Sequence, residues 1–453
     1  MTNTPAARDQ GTERYPLSFT QEWFVTMDKG DDGGPFGRRY VLVTPLRVTG
    51  QVDLTALQGA LDDVVERHEL LRTLVVRDAS PRYQQVFPPC QVPLEVRDQP
   101  GVTDRAMAIQ KLIAAAETSP MSAREVPLLR ALLCRFDDQD SALLLTVHHS
   151  VSDGWSVQLI LRDLGACYLA RVTGTVPRLP EVRQYREFAE WQRAGVGDTD
   201  EGALKYWAEK LDGARETLMP NDHGHPDRYS RPYSLHVFTI EPDIMAGAAA
   251  LANATRGTMF TVLLSAIYVL MHQITGETDV LVPAITAGRN ETDFHNTMGL
   301  FLNVLPFRTD IGDCASFREV VLKTRETFID AVANEIPIGV IEQRFPDFIR
   351  SREDRRTSQL LISLPQPQFG QATFSIADGA EEIREVLLEE DESSDIPSGT
   401  VWYLSAIPDG SLSGCVHFNR DEFEESTVKG RTAAFKRVLA SAVREPAQDW
   451  RLL

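Results

Sequence analysis

The sequence predicts a mixed α/β protein built from two lobes. Helical and strand-like apolar patterns alternate along the whole chain. Its 453 residues correspond to about two to three domains at roughly 150 residues each. A Gly- and Pro-bearing stretch, 172–183, with Gly174, Pro177 and Pro180, breaks the periodicity and places a lobe boundary. The expected organisation is a polar, disordered tail over 1–14, a first lobe over 15–178 and a second over 179–453.

Taken in order, Asp53 is expected to cap a helix whose apolar face is Leu54, Leu57, Leu61 and Val64. Leu74 to Val76 reads as a short strand, and a second amphipathic helix follows near 104–116. Ala142 to Val147 is a continuous apolar run, the pattern of a buried strand. Ser156 is expected to cap the next helix, with Val157, Ile160, Leu161, Leu164 and Tyr168 on one face. Helices are expected near 185–192 and 203–210, then a polar loop over 220–232. Further on come helices over 244–274 with a break near Gly257, strands near 280–284 and 303–307, and a helix over 315–334. Strands near 360–364, 401–407 and 412–418 precede a closing helix through Val428, Phe435 and Leu439. The segment 378–395, with nine acidic residues against Arg384, reads as a solvated loop.

Composition narrows the function classes. Forty-three per cent apolar and 25% charged residues are the proportions of a globular protein. Lys and Arg total 46 against 65 Asp and Glu, a net charge of −19, so recognition of a nucleic-acid backbone or an anionic membrane is not expected. Cys90, Cys134, Cys167, Cys314 and Cys415 are scattered, without CxxC spacing or a zinc-like Cys/His cluster, and read as reduced, mostly buried thiols. No metal site is expected. Residues 1–14 contain no apolar signal core, and Met259 to Met271 is shorter than the ~20 residues a membrane helix needs. A cytoplasmic location is the expectation.

The chemistry concentrates in His148-His149-Ser150-Val151-Ser152-Asp153-Gly154, between a predicted strand and a predicted helix. Side chains alternate along a strand, so the two imidazoles should diverge, one packed and one facing a cleft. A neutral imidazole, with an ordinary pKa of ~6.5, accepts a proton near neutral pH and suits work on an attacking amine or hydroxyl. A lone histidine is more often a satisfied core residue, but here the spacing and context argue for function. Ser150 and Ser152 lack an evident base in a triad, which disfavours a covalent acyl-enzyme.

HHxxxDG resembles the signature of the condensation domains of nonribosomal peptide synthetases, and further motifs follow in the family's order. Leu17-Ser18-Phe19-Thr20-Gln21-Glu22-Trp23 resembles the opening motif, and Arg67-His68-Glu69-Leu70-Leu71-Arg72-Thr73 the second. Tyr185-Arg186-Glu187-Phe188-Ala189-Glu190-Trp191 resembles the aromatic motif. Ala287-Gly288-Arg289 with Gly299-Leu300-Phe301-Leu302-Asn303-Val304 resembles the motif written GxFVNT. Two later motifs, at 334–337 and 354–357, match only in part. The intact histidine pair argues against a heterocyclising variant.

The resemblance implies two lobes like chloramphenicol acetyltransferase, arranged as a V-shaped pseudo-dimer with a central tunnel. It makes His149 the catalytic residue and His148 its buried support, with Asp153 paired to Arg289 and Gly154 leaving room for the thioester arm. Asn303 and Trp155 become candidate tunnel residues, although a strand-end asparagine bonded to backbone is an alternative for Asn303. Arg350, Arg352, Arg355 and Arg356 form a candidate docking patch for an acidic carrier, against a solvated helix end paired with Glu353 and Asp354. No bound cofactor is implied; the donor is the phosphopantetheine arm of a peptidyl carrier protein supplied in trans. The acceptor is a small molecule or a second carrier-bound group.

With no adenylation or carrier motif found, the expected function is that of a free-standing condensation enzyme forming an amide or ester in natural-product biosynthesis. The stretch 28–37 resembles that of stand-alone enzymes of enediyne pathways that esterify a hydroxyl. The alternatives are a non-catalytic docking module of the same fold and a coenzyme A-dependent HHxxxDG acyltransferase. No glutamate-histidine epimerisation motif is found in the second lobe.

Overall fold

The computed structural model describes residues 13–195, 201–226, 233–363, 379–382, 390–393, 399–407 and 409–453. The chain divides into two compact units. The first comprises 1–197, 289–301 and 369–384, and the second the remainder.

From the N-terminus the first unit contains β1 (Glu13–Tyr15), α1 (Phe19–Thr26), β2 (Val41–Thr49) and α2 (Leu54–Arg67). It continues with β3 (Thr73–Val76), β4 (Tyr83–Val86), β5 (Leu94–Asp98), α3 (Arg105–Thr118), β6 (Leu129–Asp137) and β7 (Asp140–His148). Helices α4 (Gly154–Thr173) and α5 (Tyr185–Gly195) complete its first stretch. Its main sheet has the order β2-β7-β6-β5, with Gly379–Glu382 antiparallel along the free edge of β2. Strand β7, buried along its whole length, is the centre of that sheet, as a continuous apolar run should be. A smaller sheet has the order β1-β4-β3.

Local chemistry explains most helix limits. Asp53 caps α2 by accepting from the backbone N–H groups of Thr55 and Ala56, each at 2.9 Å. Asp104 does the same for α3 through Met107 N–H, and Gly174, at φ 67°, ends α4 in the left-handed region. Helix α4 begins earlier than expected: its cap is Asp153, and Ser156 is the third helical residue.

The second unit contains α6 (Glu201–Leu211), β8 (Met219–Pro220), β9 (Tyr233–Ile240), α7 (Pro242–Ala254), α8 (Met259–Thr275), β10 (Asp279–Thr286) and β11 (Asn303–Asp310). There follow α9 (Phe317–Ala333), α10 (Ile338–Arg344), β12 (Thr357–Ser358), β13 (Leu360–Ser363) and β15 (Glu390–Ser393), with β14 (Gly379–Glu382) of the first unit lying between β13 and β15 in the chain. Strands β16 (Thr400–Ala406) and β17 (Leu412–Asn419) lead to α11 (Glu425–Arg444). Seven strands form one sheet, β11-β10-β13-β16-β17-β9-β15. Residues 260–271 of α8 are all buried, so the greasy stretch is a core helix. No single helix among the described residues is long and apolar enough to cross a membrane.

Three expectations about organisation are corrected. The boundary near 178 does not hold, because α5 belongs to the first unit. Its Tyr185 hydroxyl lies 2.8 Å from Ser18 Oγ, and Arg186 Nε donates to Glu69 at 2.8 Å. Arg193 Nε donates to Leu17 O at 2.9 Å. Residues 13 and 14 of the expected tail lie in β1, paired with β4, while 1–12 fall outside the described residues. The acidic segment 378–395 is not simply a loop: β14 and β15 lie within it, each paired antiparallel at a sheet edge, and the rest of it is outside the described residues. All five cysteines are free, and all but Cys90 are buried, as the sequence suggests.

Candidate active site

The histidine pair lies where β7 ends. His148 is the last strand residue, facing Val41 of β2 in the antiparallel register, with its N–H bonded to Leu128 O at 3.1 Å. Its side chain is fully buried. Nε2 lies 3.2 Å from Gly37 O, and a carbonyl only accepts, so Nε2 carries the proton. Nδ1 then accepts from Ser150 Oγ at 2.8 Å and Ser150 N at 3.2 Å. Burial pushes the His148 pKa down to about 3, so the ring is neutral. Ser150 thus has a hydrogen-bonded base, which sequence inspection did not find. Both groups are buried and both His148 nitrogens are occupied, so the pair is not an exposed nucleophile.

His149, one residue beyond the strand, is half-buried. Its Nδ1 lies 2.7 Å from Ser152 O and must donate to that carbonyl. In the neutral ring this leaves the lone pair on Nε2, since the ring's hydrogen bond among the described residues is made at Nδ1. Burial lowers the pKa, the bond to Ser152 O opposes this, and the net shift favours the neutral base. The imidazole also stacks on Tyr40, with ring centroids 4.7 Å apart and planes 10° apart.

Asp153 and Arg289 pair at 3.2 Å with their side chains only 3% and 1% exposed, so the charges are removed from water. Asp153 also accepts from Ser156 N at 2.8 Å, Ser156 Oγ at 2.7 Å and Phe301 N at 3.1 Å. Arg289 donates to the carbonyls of Phe294 and Thr297 at 3.2 and 2.8 Å, and its guanidinium lies 3.9 Å from the Phe301 ring centroid. Ser156 Oγ accepts from Gly299 N at 2.9 Å and Arg289 Nη2 at 3.0 Å. This network, in which among the described residues only Arg289 Nε is left without a hydrogen-bond partner, stitches 289–301 onto the start of α4, which is why that segment belongs to the first unit. Sequence reasoning had made Ser156 only a cap; its place at this junction has no local signature.

Other expected site residues are distributed differently. Gly154 is the exposed first residue of α4. Trp155 is half-buried, with its indole N–H bonded to His295 O at 2.9 Å. Asn303, at the start of β11, donates to Glu335 at 3.0 Å and Ile336 O at 2.9 Å, and accepts from Ile338 N at 2.9 Å. Its amide therefore serves two backbone groups, as in the alternative raised for it, together with the Glu335 carboxylate. The four arginines do not share one role. Arg352 is drawn to the buried Glu216 at 2.6 Å and to Glu342 at 3.0 Å, Arg350 pairs with Asp347 at 3.0 Å, and Arg355 donates to His225 O at 2.9 Å. Arg356 is exposed. The ion-pair partners of Arg350 and Arg352 are thus Asp347, Glu216 and Glu342, while Asp354 accepts the Arg356 backbone N–H at 2.9 Å.

Among the described residues no cluster of three or more His, Cys, Asp or Glu side chains could hold a metal ion.

Comparison with known proteins adds a second line. A family profile described as Condensation domain matches residues 12–452. A linear gramicidin synthase of Brevibacillus parabrevis is 30% identical over 451 residues, covering 98% of this chain but 6% of that protein. The chain thus spans a small part of the length of such relatives. The crystal structure of SgcC5 from Streptomyces globisporus, in complex with (R)-(−)-1-(2-naphthyl)-1,2-ethanediol and sucrose, is similar at a TM-score of 0.88. That similarity is at 35% identity and covers 96% of this chain and 100% of that one. The X-domain from teicoplanin biosynthesis shares the fold, with a TM-score of 0.78 at 22% identity, over 98% of each chain.

Proposed function

The chain belongs to the condensation-domain family, and we propose that it transfers an acyl or aminoacyl group from the phosphopantetheine thioester of a carrier protein to an amine or hydroxyl. The observation that carries this reading is the state of His149: Nδ1 committed to Ser152 O and the ring held neutral, which leaves the lone pair on Nε2. Nε2 takes the proton of the attacking N–H or O–H as the nucleophile adds to the thioester carbonyl. Collapse of the adduct breaks the C–S bond, and the proton passes from His149 to the departing thiolate. The products are an amide or ester and the free thiol arm. Holding donor and acceptor together contributes several kcal/mol beyond base catalysis. His148, Asp153 and Arg289 support the turn that carries His149, and exposed Gly154 leaves space beside it for the thioester arm.

A hydroxyl acceptor, giving an ester, is the finer form of the proposal. It is supported by the likeness to SgcC5, whose crystal holds an aryl vicinal diol, and by the stretch 28–37.

The test supplies an aminoacyl-loaded carrier with either a primary amine or 1-(2-naphthyl)-1,2-ethanediol, and follows product by mass spectrometry for the wild type and His149→Ala. Product that depends on His149 is expected. Transfer from free coenzyme A thioesters as efficient as from the carrier would identify a coenzyme A-dependent acyltransferase instead. Carrier binding without turnover on either acceptor would identify a docking module.

A further inference from the structure

The loop 28–40 lies outside the HHxxxDG motif, yet it touches both histidines. Gly37 O receives the His148 Nε2 proton at 3.2 Å, and Tyr40 O receives the His149 backbone N–H at 2.8 Å. The Tyr40 ring, 6% exposed, lies flat on the His149 imidazole and packs edge-on against Phe24, with centroids 6.1 Å apart. The loop is itself pinned. Arg77, its side chain 2% exposed, donates to Asp28 at 2.6 Å and Asp31 at 3.1 Å, and its guanidinium lies 4.4 Å from the Phe36 ring centroid. Arg124 adds a second bond to Asp31 at 2.9 Å.

These restraints act in different directions. The Nδ1 bond to Ser152 O lies in the imidazole plane and leaves the ring able to rock about that bond. A stacked aromatic face opposes that motion, because tilting the ring breaks face-to-face contact over its whole area. The two together define both the direction of the Nε2 lone pair and the plane in which it lies.

We infer that Tyr40 is a positioning residue for His149: its ring, carried on the loop 28–40 and pinned through Arg77, fixes the imidazole plane and with it the line along which Nε2 takes a proton. The kinetic part of this inference rests on the reading of His149 as the catalytic base. The geometric part does not. A misdirected base costs turnover rather than binding, so the signature is a loss in kcat with little change in KM.

Two measurements on the full chain test it. Histidine-selective 15N NMR, with the His149 signals identified by their disappearance in His149→Ala, reads the tautomer directly. The wild type is expected to show a single Nδ1-protonated neutral form. Tyr40→Leu is expected to keep that tautomer, because the Ser152 bond survives, but to broaden and shift these signals as the ring rocks, and Tyr40→Phe, which keeps the ring, to restore them. With the aminoacyl-loaded carrier and the naphthyl diol, Tyr40→Leu should lower kcat by about 10- to 100-fold with KM nearly unchanged, and Tyr40→Phe should recover most of it. Tyr40→Met, an unbranched filler of the same space, is measured in parallel in case the leucine variant fails to fold. A folded Leu or Met variant with wild-type His149 signals and wild-type kcat overturns the inference. So does a Phe variant as impaired as Leu. Full activity in His149→Ala would overturn the catalytic reading instead, and the NMR comparison would still decide whether Tyr40 orients the ring.

Discussion

Asp153 and Arg289 show at the level of single residues how the site is held. Each charge is compensated only by the other and by fixed hydrogen bonds, so deleting one strands its partner away from water. Asp153→Ala is therefore expected to destabilise the protein by ~3–5 kcal/mol, read from denaturant unfolding. Replacing both residues with apolar side chains should cost less than the sum of the two single changes, because neither then leaves a buried charge. His148 makes a pH-dependent contribution of defined sign. Folded, it stays neutral down to about 3, whereas in the unfolded chain it takes a proton near 6.5. Between those values the unfolded state binds more protons, so stability is full above about 6.5 and falls as the pH drops toward 3. The slope from this residue is at most about 1.4 kcal/mol per pH unit. Unfolding free energies measured from pH 7 to 4 should show this acid limb, and His148→Gln should flatten it even though that variant is less stable overall.

Helix α4 is the element on which the site depends, and both its ends and its middle are committed. Its start is capped by Asp153, and its middle presents Asp163, wholly buried, to His68 at 2.9 Å, Arg67 at 2.8 Å and Arg162 at 2.7 Å. Burial raises the Asp163 pKa, but the hydrogen bonds from His68 and Arg162 and their charges outweigh it and bring the carboxyl down to about 2. The Arg67-His68 motif thus ties the end of α2 to the middle of α4. The segment laid on the helix start is equally constrained. A Cβ on Gly299 would lie 2.1 Å from Tyr185 Cδ2 and 2.6 Å from Phe301 Cε2, with the Tyr185 hydroxyl bonded to Leu300 O at 2.7 Å. Gly299→Ala is expected to displace Tyr185, lower the melting temperature and reduce turnover together. Unchanged melting would mean that the two rings yield without cost.

For the whole molecule, the first unit is not a contiguous piece of chain. It takes α5 and the segments 289–301 and 369–384. A fragment of residues 15–178 would therefore lack Arg289, the partner of buried Asp153, and Tyr185, the partner of buried Ser18. Expressed alone, it is expected to bind a hydrophobic dye and to unfold without a cooperative transition. A sharp unfolding transition from that fragment would show that the later segments are dispensable for its core.

Local rules account for what the sequence by itself determined. A carboxylate caps a helix through N–H groups two or three residues away, so the limits of α2 and α3 follow from Asp53 and Asp104. A continuous apolar run must be buried, which places β7, and HHxxxDG at its end marks the site. The break between α7 and α8 is likewise readable near Gly257. Long-range placement belonged to the tertiary structure alone. The Asp153–Arg289 pair spans 136 residues and was legible only through resemblance to a family. Tyr40 meets His149 because β2 and β7 are registered with Val41 opposite His148. Arg352 turns to Glu216 rather than to its sequence neighbours because a buried carboxylate needs a cation more than two exposed ones do. Caps and periodicities involve residues the chain keeps adjacent, whereas stacking and buried charge pairing depend on the path of the backbone in space.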